Sequence, residues 1–185
     1  MKKTPSQLKV PSYALNFPFT LSTENPNNIW MQELSPDDLQ INKPKAYKQF
    51  MDLYNFMAGG SLVYLIPSYA SKPYQDQVYV ANVGLHLPHI LDDNIILLSN
   101  FTSEPRQGEE LIAKPFFEAM NYTTHLCPYK WEGEADIKYI GGNNYIGGFG
   151  QRSTQEAYDW MSTNFNMNII QVEMVEPYLY HLDCS

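Results

Sequence analysis

The sequence predicts an α/β fold of the propeller type, in which a few short strands and one helix recur along the chain. Three segments space their apolar residues as amphipathic helices do, and they begin near residues 44, 109 and 154. The segments between them are short, rich in Val, Ile, Leu and Tyr, and bounded by Pro, Gly and Asp, which is typical of strands. A parallel doubly wound sheet fits this order less well. Ordinary α+β packing produces similar strings of elements and stays open as an alternative.

The helices are indicated by boundary residues as well as by periodicity. Pro44 fits the first turn of the first helix, and Ser153 or Thr154 can cap the third. Pro115 lies inside the second helix and is expected to bend it or to move its start. The predicted helices cover residues 44–57, 109–120 and 155–164.

The strands are predicted from short apolar segments between turn residues. Residues 1–32 are rich in Pro and Asn, so we expect extended, irregular chain there. The predicted strands cover residues 61–66, 77–82, 94–99, 137–140, 144–148, 168–175 and 178–183.

The charge balance argues against nucleic acid and anionic membranes as partners. The 185 residues include 12 Lys and Arg against 20 Asp and Glu, a formal net charge of −8, and the basic residues are scattered. No apolar run approaches the roughly 18–20 residues that span a bilayer, and the first residues lack the apolar region of a secretory signal. We therefore expect one soluble, cytoplasmic domain. Two cysteines are too few for a disulfide framework, and no Cys or His spacing typical of structural zinc occurs.

Three polar groups lie at the ends of predicted strands, where scaffolds commonly place functional residues. They are Asn82, the acidic segment from Glu132 to Asp136, and His181 with Asp183. Two residues apart on one strand, His181 and Asp183 should face the same side, and a carboxylate beside a His favours its protonated form. Each group also has a plain structural interpretation: a turn residue, a solvated hairpin tip and a surface pair, respectively.

Six short motifs occur in sequence order between about Pro11 and Asp183. They are Asn28-Ile29-Trp30-Met31, Ala81-Asn82-Val83-Gly84, Arg106-Gln107-Gly108-Glu109, Trp131-Glu132-Gly133-Glu134-Ala135-Asp136, Gly148-Phe149-Gly150-Gln151-Arg152-Ser153 and His181-Leu182-Asp183. Together they resemble the guanidino-modifying (pentein) superfamily. Within it the resemblance is closest to the amidinotransferase-like arginine dihydrolases, alongside arginine deiminase and dimethylarginine dimethylaminohydrolase.

The resemblance implies a five-bladed α/β propeller whose axial pocket binds a guanidinium group. It implies that His181 is the catalytic His, with Glu132 as its acidic partner and Asp136 as a nearby support. Asn82 stands where deiminases commonly have Asp and where the dihydrolases have Asn. The substrate-binding residues that it implies are Asn28, Asn82, Arg106, Asp136, Arg152 and Asp183.

The implied chemistry suits these residue types. A guanidinium is a planar cation with several N–H donors, and carboxylates in its plane accept them best. In such enzymes a Cys thiolate attacks the central carbon, while a His protonates the departing ammonia and then activates water. The resemblance therefore implies a hydrolase or transferase acting on arginine or a related guanidine, with no metal or organic cofactor.

The chain departs from this superfamily at its nucleophile. The superfamily Cys lies well beyond the His-Leu-Asp motif, whereas this sequence stops two residues after Asp183. Cys184 follows Asp183 on a predicted strand and should point away from the His181 face. Cys127 precedes a Pro, where the superfamily has no nucleophile. We therefore expect the chain to be inactive as given.

The number of elements is also smaller than the superfamily requires. Three helices with their strands amount to about three of five blades, so we expect residues 1–185 to be one incomplete domain, the N-terminal three-fifths. Open sheet edges would favour association of chains as a homo-oligomer. A non-catalytic guanidine-binding or interaction protein that lost the thiol stays open as an alternative. Gln151 and Ser153 vary the superfamily pattern Gly-x-Gly-x-Arg-Thr, which leaves the particular guanidine undetermined.

Overall fold

The computed structural model describes residues 4–184 of the chain. Over this range the helices are α1 (Ile29–Gln32), α2 (Lys43–Ala58), α3 (Glu109–Ala119) and α4 (Gln155–Phe165). The strands are β1 (Ser12–Leu15), β2 (Leu62–Leu65), β3 (Gly84–His86), β4 (Ile95–Leu98), β5 (Thr123–Leu126), β6 (Ile137–Gly141), β7 (Asn144–Phe149) and β8 (Asn168–Glu173).

These strands form three small sheets rather than one continuous sheet. β1 and β2 pair in parallel, and α2 connects them. In the other two sheets an antiparallel pair is followed by a helix and a parallel strand, which gives the orders β3-β4-β5 and β6-β7-β8. We call these parts the first unit (residues 12–65), the second unit (residues 84–126) and the third unit (residues 137–173).

The second and third units follow the same plan. Each is preceded by a 3-10 turn, Val80–Val83 before β3 and Gly133–Ala135 before β6, and the two turns are in contact. Each unit also has an arginine three residues before its helix begins, Arg106 before α3 and Arg152 before α4. The repeated plan therefore places equivalent polar residues of two units near each other.

The core lies between the sheets and the helices that cover them. One apolar cluster joins the strands of the second unit to the third and includes the fully buried rings of Trp131, Tyr145 and Tyr158. The Tyr158 hydroxyl lies within hydrogen-bond distance of the backbone oxygens of Asp136 and Gly148, at 3.0 and 2.6 Å. Burial of this aromatic ring thus also fixes the backbone at Asp136, next to His181.

The three predicted helices are confirmed. α2, α3 and α4 begin within one residue of the predicted starts, because their periodicity and boundary residues are local signals. Pro115 does not move the start of α3, which begins at Glu109 and continues through the proline. No helix among residues 4–184 has both the length and the apolar character needed to cross a bilayer.

The prediction of a strand over residues 77–82 was wrong. This segment makes tight turns, with hydrogen bonds from Tyr79 N to Asp76 O and from Asn82 N to Tyr79 O. The backbone oxygens of Asp76 and Tyr79 also accept from Arg106 Nη2 at 3.2 and 3.1 Å. The Arg106 side chain thus binds backbone oxygens that, in a strand, would accept from the N–H groups of a neighbouring strand.

The prediction of a strand over residues 178–183 was also wrong. The segment forms turns that end in a 3-10 helix, Leu182–Cys184, and the backbone oxygen of Tyr178 accepts from Trp30 Nε1 at 3.1 Å. His181 is buried while Asp183 is exposed, so the two do not share one strand face. Leu182, which lies between them, is half-buried.

Three short strands escaped prediction because, unlike the equally short β2 and β4, they are not continuous apolar runs. β1 lies in residues that we expected to be irregular, while β3 and β5 are the outer strands of the sheet of the second unit. Three or four residues of mixed polarity show too few alternations to indicate a strand. Five of the predicted strands are confirmed in position, as β2, β4, β6, β7 and β8.

Candidate functional site

Polar residues from different parts of the chain meet around one cavity of about 570 Å³. The cavity lies where the two 3-10 turns contact each other and where the segment carrying His181 passes over them. Seven of the eight predicted site residues line it, and the eighth, Asp136, contacts His181 from behind. The seven are Asn28, Asn82, Arg106, Glu132, Arg152, His181 and Asp183.

His181 is 7% exposed, and its imidazole lies between two carboxylates. Its Nδ1 is 2.7 Å from Asp136 Oδ1, and its Nε2 is 3.4 Å from Glu132 Oε2 and 3.1 Å from Asn82 Nδ2. Because an ionised carboxylate only accepts, Nδ1 donates to Asp136 and Nε2 accepts from the Asn82 amide. This tautomer leaves Nε2 as the basic nitrogen, on the side of the ring where Asn82 and Glu132 line the cavity.

The two carboxylate oxygens of Glu132 have different surroundings. Oε1 accepts from the backbone N–H groups of Thr102 and Ser103, at 3.0 and 3.1 Å. Oε2 is buried and makes no hydrogen bond within residues 4–184. A buried carboxylate oxygen without a donor is unfavourable. Glu132 Oε2 is therefore suited to accept an N–H group from a cation in the cavity.

Asp136 is fixed by bonds to both of its carboxylate oxygens. Oδ1 accepts from His181 Nδ1 and, at 3.4 Å, from the backbone N–H of Leu182. Oδ2 accepts from the hydroxyl of Ser153, a residue that is 1% exposed. The carboxylate that orients the imidazole is thus itself oriented.

A glycine allows the two 3-10 turns to approach each other closely. Gly133 has a φ of +70°, and a Cβ at this position would lie 2.5 Å from the carbonyl carbon and oxygen of Asn82. Neither the backbone conformation nor the space would accept a side chain. The contact lets Asn82 and Glu132 lie on the same cavity wall.

Arg106 is almost completely buried and paired within the second unit. Its Nε and Nη2 donate to Oε1 and Oε2 of Glu109 at 3.1 and 2.7 Å, and its guanidinium lies 4.7 Å from the Phe101 ring centroid. Burial raises the pKa of Glu109 to about 7, although the charge of Arg106 opposes this shift. Arg106 therefore borders the cavity mainly as a support for the 76–79 turn.

Arg152 makes looser contacts, and they cross the cavity. Nη1 is 3.6 Å from Glu132 Oε1, Nη2 donates to the backbone oxygen of Asn27, and the guanidinium lies 5.0 Å from the Tyr180 ring centroid. These contacts link the third unit to the segments around Asn27 and Tyr180. A guanidinium held this way keeps donors for an anionic group.

Asn28 and Asp183 also line the cavity, but neither touches His181. Asn28 is the N-cap of α1, where its Oδ1 already accepts one bond, from Met31 N at 2.9 Å. Asp183 is exposed. Within residues 4–184 its carboxylate has one side-chain partner, the neighbouring Cys184 thiol at 3.9 Å.

The thiols of Cys127 and Cys184 lie in different surroundings, and the position of Cys184 differs from the predicted one. Cys127 is fully buried outside the cavity, and burial raises its pKa to about 11. Cys184 does line the cavity, so the expectation that it points away was wrong, for the same reason as the strand that carried it. Burial also raises the pKa of Cys184, which disfavours the reactive thiolate.

Asp76 is a cavity carboxylate that the sequence did not reveal. It is 5% exposed, and its Oδ2 accepts from Asn27 Nδ2 at 2.6 Å and from Gln75 Nε2 at 3.1 Å. Asp76 directly precedes residues 77–82, which were predicted as a strand. An acidic residue at the end of a predicted strand was the one sequence feature that could have identified it. Among residues 4–184, no group of three or more His, Cys, Asp or Glu side chains is arranged to bind a metal ion.

Comparison with known proteins supports the class that these motifs indicated. The fold is a mixed α/β fold shared with guanidine-modifying enzymes of the pentein superfamily, and the chain resembles those enzymes in sequence. The predicted resemblance is therefore confirmed. No known family model matches the sequence.

Two curated relatives illustrate the likeness in sequence. A bifunctional arginine dihydrolase/ornithine cyclodeaminase, AgrE of Nostoc sp., is 28% identical over 159 residues, which are 84% of this chain and 21% of the relative. An N(G),N(G)-dimethylarginine dimethylaminohydrolase of Mycobacterium tuberculosis is 26% identical over 174 residues, 94% of this chain and 54% of the relative. The chain thus spans between a fifth and about half of the length of these relatives.

Solved structures show the same fold. The N-terminal domain of ArgZ, a cyanobacterial arginine dihydrolase crystallised with its substrate, superposes with a TM-score of 0.81 at 24% identity and covers 93% of this chain and 61% of that one. A dimethylarginine dimethylaminohydrolase adduct gives a TM-score of 0.68 at 16% identity and covers 94% of this chain and 63% of that one.

Proposed function

We propose that this chain carries the guanidine-binding and acid-base part of a hydrolase or transferase of the arginine dihydrolase or deiminase type. The observation that carries the proposal is the buried, unpaired Oε2 of Glu132, which lies 3.4 Å from Nε2 of His181 on the cavity wall. The relatives named arginine dihydrolase and dimethylarginine dimethylaminohydrolase support the same class. Arginine or a related guanidine is the proposed ligand.

The proposed ligand is a planar cation, and the cavity supplies acceptors for it. Glu132 Oε2 accepts one guanidinium N–H, and Asp76 and Asp183 add negative charge to the same cavity. Arg152 is placed to bind the carboxylate of an amino acid ligand. Arg106, held by Glu109, supports the wall rather than the ligand.

His181 is the proposed catalytic acid and base. With Nδ1 bonded to Asp136, Nε2 takes a proton and returns it, and the Asp136 carboxylate stabilises the imidazolium in between. In a thiol mechanism this proton goes to the departing ammonia, and His181 then accepts a proton from water. Burial raises the pKa of both Cys127 and Cys184, so neither is the proposed nucleophile.

We also propose that the three units are three blades of a five-bladed pentein propeller and that residues 1–185 are one incomplete domain of that type. The chain is proposed to be cytoplasmic. Self-association through the free edges of the sheets is the proposed oligomeric contact.

A second candidate is a non-catalytic guanidine-binding protein. The position of Cys184 favours it, because this thiol lines the cavity beside the carboxylate of Asp183, where burial raises rather than lowers its pKa. Binding of arginine without release of ammonia, citrulline or ornithine would select this candidate over the enzyme.

Thermal unfolding with arginine tests the proposal. A ligand that binds the folded chain raises Tm by mass action, so arginine should raise Tm, whereas ornithine, which lacks the guanidine, should not. Glu132→Gln removes the charged acceptor and should abolish the arginine shift. Glu134→Gln, at an exposed position outside this cavity, is the matched control and should keep the shift. Equal shifts with arginine and ornithine would contradict a guanidine site.

A further inference from the structure

The hydroxyl of Ser153 connects the backbone of Glu132 to the carboxylate of Asp136. Its Oγ accepts from the backbone N–H of Glu132 at 3.1 Å and donates to Oδ2 of Asp136. Ser153 is 1% exposed, so water does not compete for either bond. Among the described residues, Ser153 is the one side chain that forms hydrogen bonds to both Glu132 and Asp136.

This use of Ser153 differs from the one that its position suggested. The sequence offered Ser153 or Thr154 as a helix cap, yet the N-cap of α4 is Thr154, without a side-chain cap bond. The Oγ1 of Thr154 has no hydrogen-bond partner within residues 4–184. Of these two adjacent hydroxyls, that of Ser153 forms hydrogen bonds at the site, and that of Thr154 forms none within residues 4–184.

We infer that Ser153 is a positioning residue that sets the orientation of the Asp136 carboxylate and, through it, the tautomer of His181. The Glu132 N–H can only donate and the Asp136 carboxylate can only accept, so Oγ accepts from the first and donates its own proton to Oδ2 of the second. With Oδ2 occupied, Oδ1 is presented to Nδ1 of His181, which keeps the proton on Nδ1 and the lone pair on Nε2. The bond from Glu132 N to Ser153 Oγ also fixes the backbone of Glu132, whose side chain is the proposed acceptor for the ligand.

The inference deepens the proposed function, but its main test needs no ligand. Histidine labelled with ¹⁵N reports the Nδ1–H proton of His181, assigned by its absence in His181→Asn. In Ser153→Ala this proton should exchange with water about tenfold faster, the ratio that corresponds to about 1.4 kcal/mol. Ser153→Thr keeps the hydroxyl and should restore the slow exchange.

Thr154→Val is the matched control, because it removes the neighbouring hydroxyl that makes no bond. It should leave the His181 proton unchanged. Unchanged exchange in Ser153→Ala, or an equal acceleration in Thr154→Val, would overturn the assignment. If Ser153→Ala does not fold, Ser153→Cys keeps nearly the same volume with a weaker donor, and unchanged exchange in that variant would overturn it as well.

Titration with arginine separates this inference from the proposed function. Ser153→Ala should weaken arginine binding about tenfold, and Ser153→Thr should restore it. Failure of the unmodified chain to bind arginine would overturn the proposed function alone, since the exchange of the His181 proton would still decide the role of Ser153.

Discussion

Arg106 and Arg152 occupy the same position in two units of the same plan, yet they have different partners. In the second unit the helix begins with Glu109, which is buried and binds Arg106 through both carboxylate oxygens. In the third unit the helix begins with Gln155, which is exposed and neutral, and Arg152 contacts Glu132, Asn27 and Tyr180 instead.

The difference shows how two units of the same plan can give equivalent arginines different roles. Arg106 is paired with a carboxylate at the start of α3, whereas no carboxylate at the start of α4 pairs with Arg152, so the Arg152 guanidinium can bind a ligand in the cavity. We therefore expect Arg106 to matter chiefly for stability and Arg152 chiefly for binding, and the following variants test this division.

Arg106→Met should give the largest effect. Removal of one partner from a buried ion pair leaves the other uncompensated, so we expect the free energy of unfolding to fall by about 3–5 kcal/mol. Urea unfolding followed by circular dichroism measures it. The control is Lys114→Met, which breaks the exposed pair with Glu118 on the same helix and should cost less than about 1 kcal/mol. Equal losses in both variants would contradict the buried pair.

The pH dependence of stability should follow Glu109. Its pKa is raised from 4.5 to about 7, so the folded chain binds this proton more tightly than the unfolded chain between those values. Stability from this group is therefore present below pH 4.5 and should fall by up to about 3 kcal/mol as the pH rises through 7.

The measurement is urea unfolding across this pH range for the unmodified chain and for Glu109→Gln. The variant should lose this component of the slope. Glu156→Gln, exposed in the first turn of α4, should retain it. A slope unchanged by Glu109→Gln would assign the pH dependence to another group.

Arg152→Met should weaken arginine binding about tenfold, as expected for loss of one charge-assisted hydrogen bond. Calorimetric titration measures the dissociation constant. Lys138→Met removes the same charge outside the cavity and should bind normally. An effect of Arg152→Met confined to stability would make both arginines structural.

Gln155→Glu should give the smallest effect and the sharpest comparison. It places at the start of α4 the residue type that holds Arg106 in α3, so it should draw Arg152 from the cavity and weaken arginine binding about threefold, the scale of an exposed ion pair. Gln151→Glu adds the same charge at another exposed position nearby. Equal effects of the two variants would indicate a general charge effect rather than capture of Arg152.

Sequence patterns predicted the parts of the fold that depend on local signals. The helices α2, α3 and α4 were found because apolar spacing and boundary residues agree within each of them. Residues 77–82 were assigned wrongly because Arg106, far along the chain, bonds to the backbone at Asp76 and Tyr79. Such contacts between distant segments leave no local pattern.

The candidate site was predicted in part for a similar reason. The motifs named Asn82, Glu132 and His181, which the structure brings into contact. Ser153 was named as a possible helix cap and as a motif position. Its bonds to Glu132 and Asp136 depend on how the chain after β7 meets the turn before β6, which no local pattern shows. Asp76 escaped notice because a lone acid has many uses on a protein surface.

The segment that carries His181 should open locally before the rest of the chain unfolds. Residues 176–184 belong to no sheet and are joined to the rest by contacts such as Trp30 with Tyr178 and His181 with Asp136. Few backbone bonds oppose its local opening, which costs less than global unfolding. Gentle warming should therefore release the imidazole while the helices and sheets are still intact.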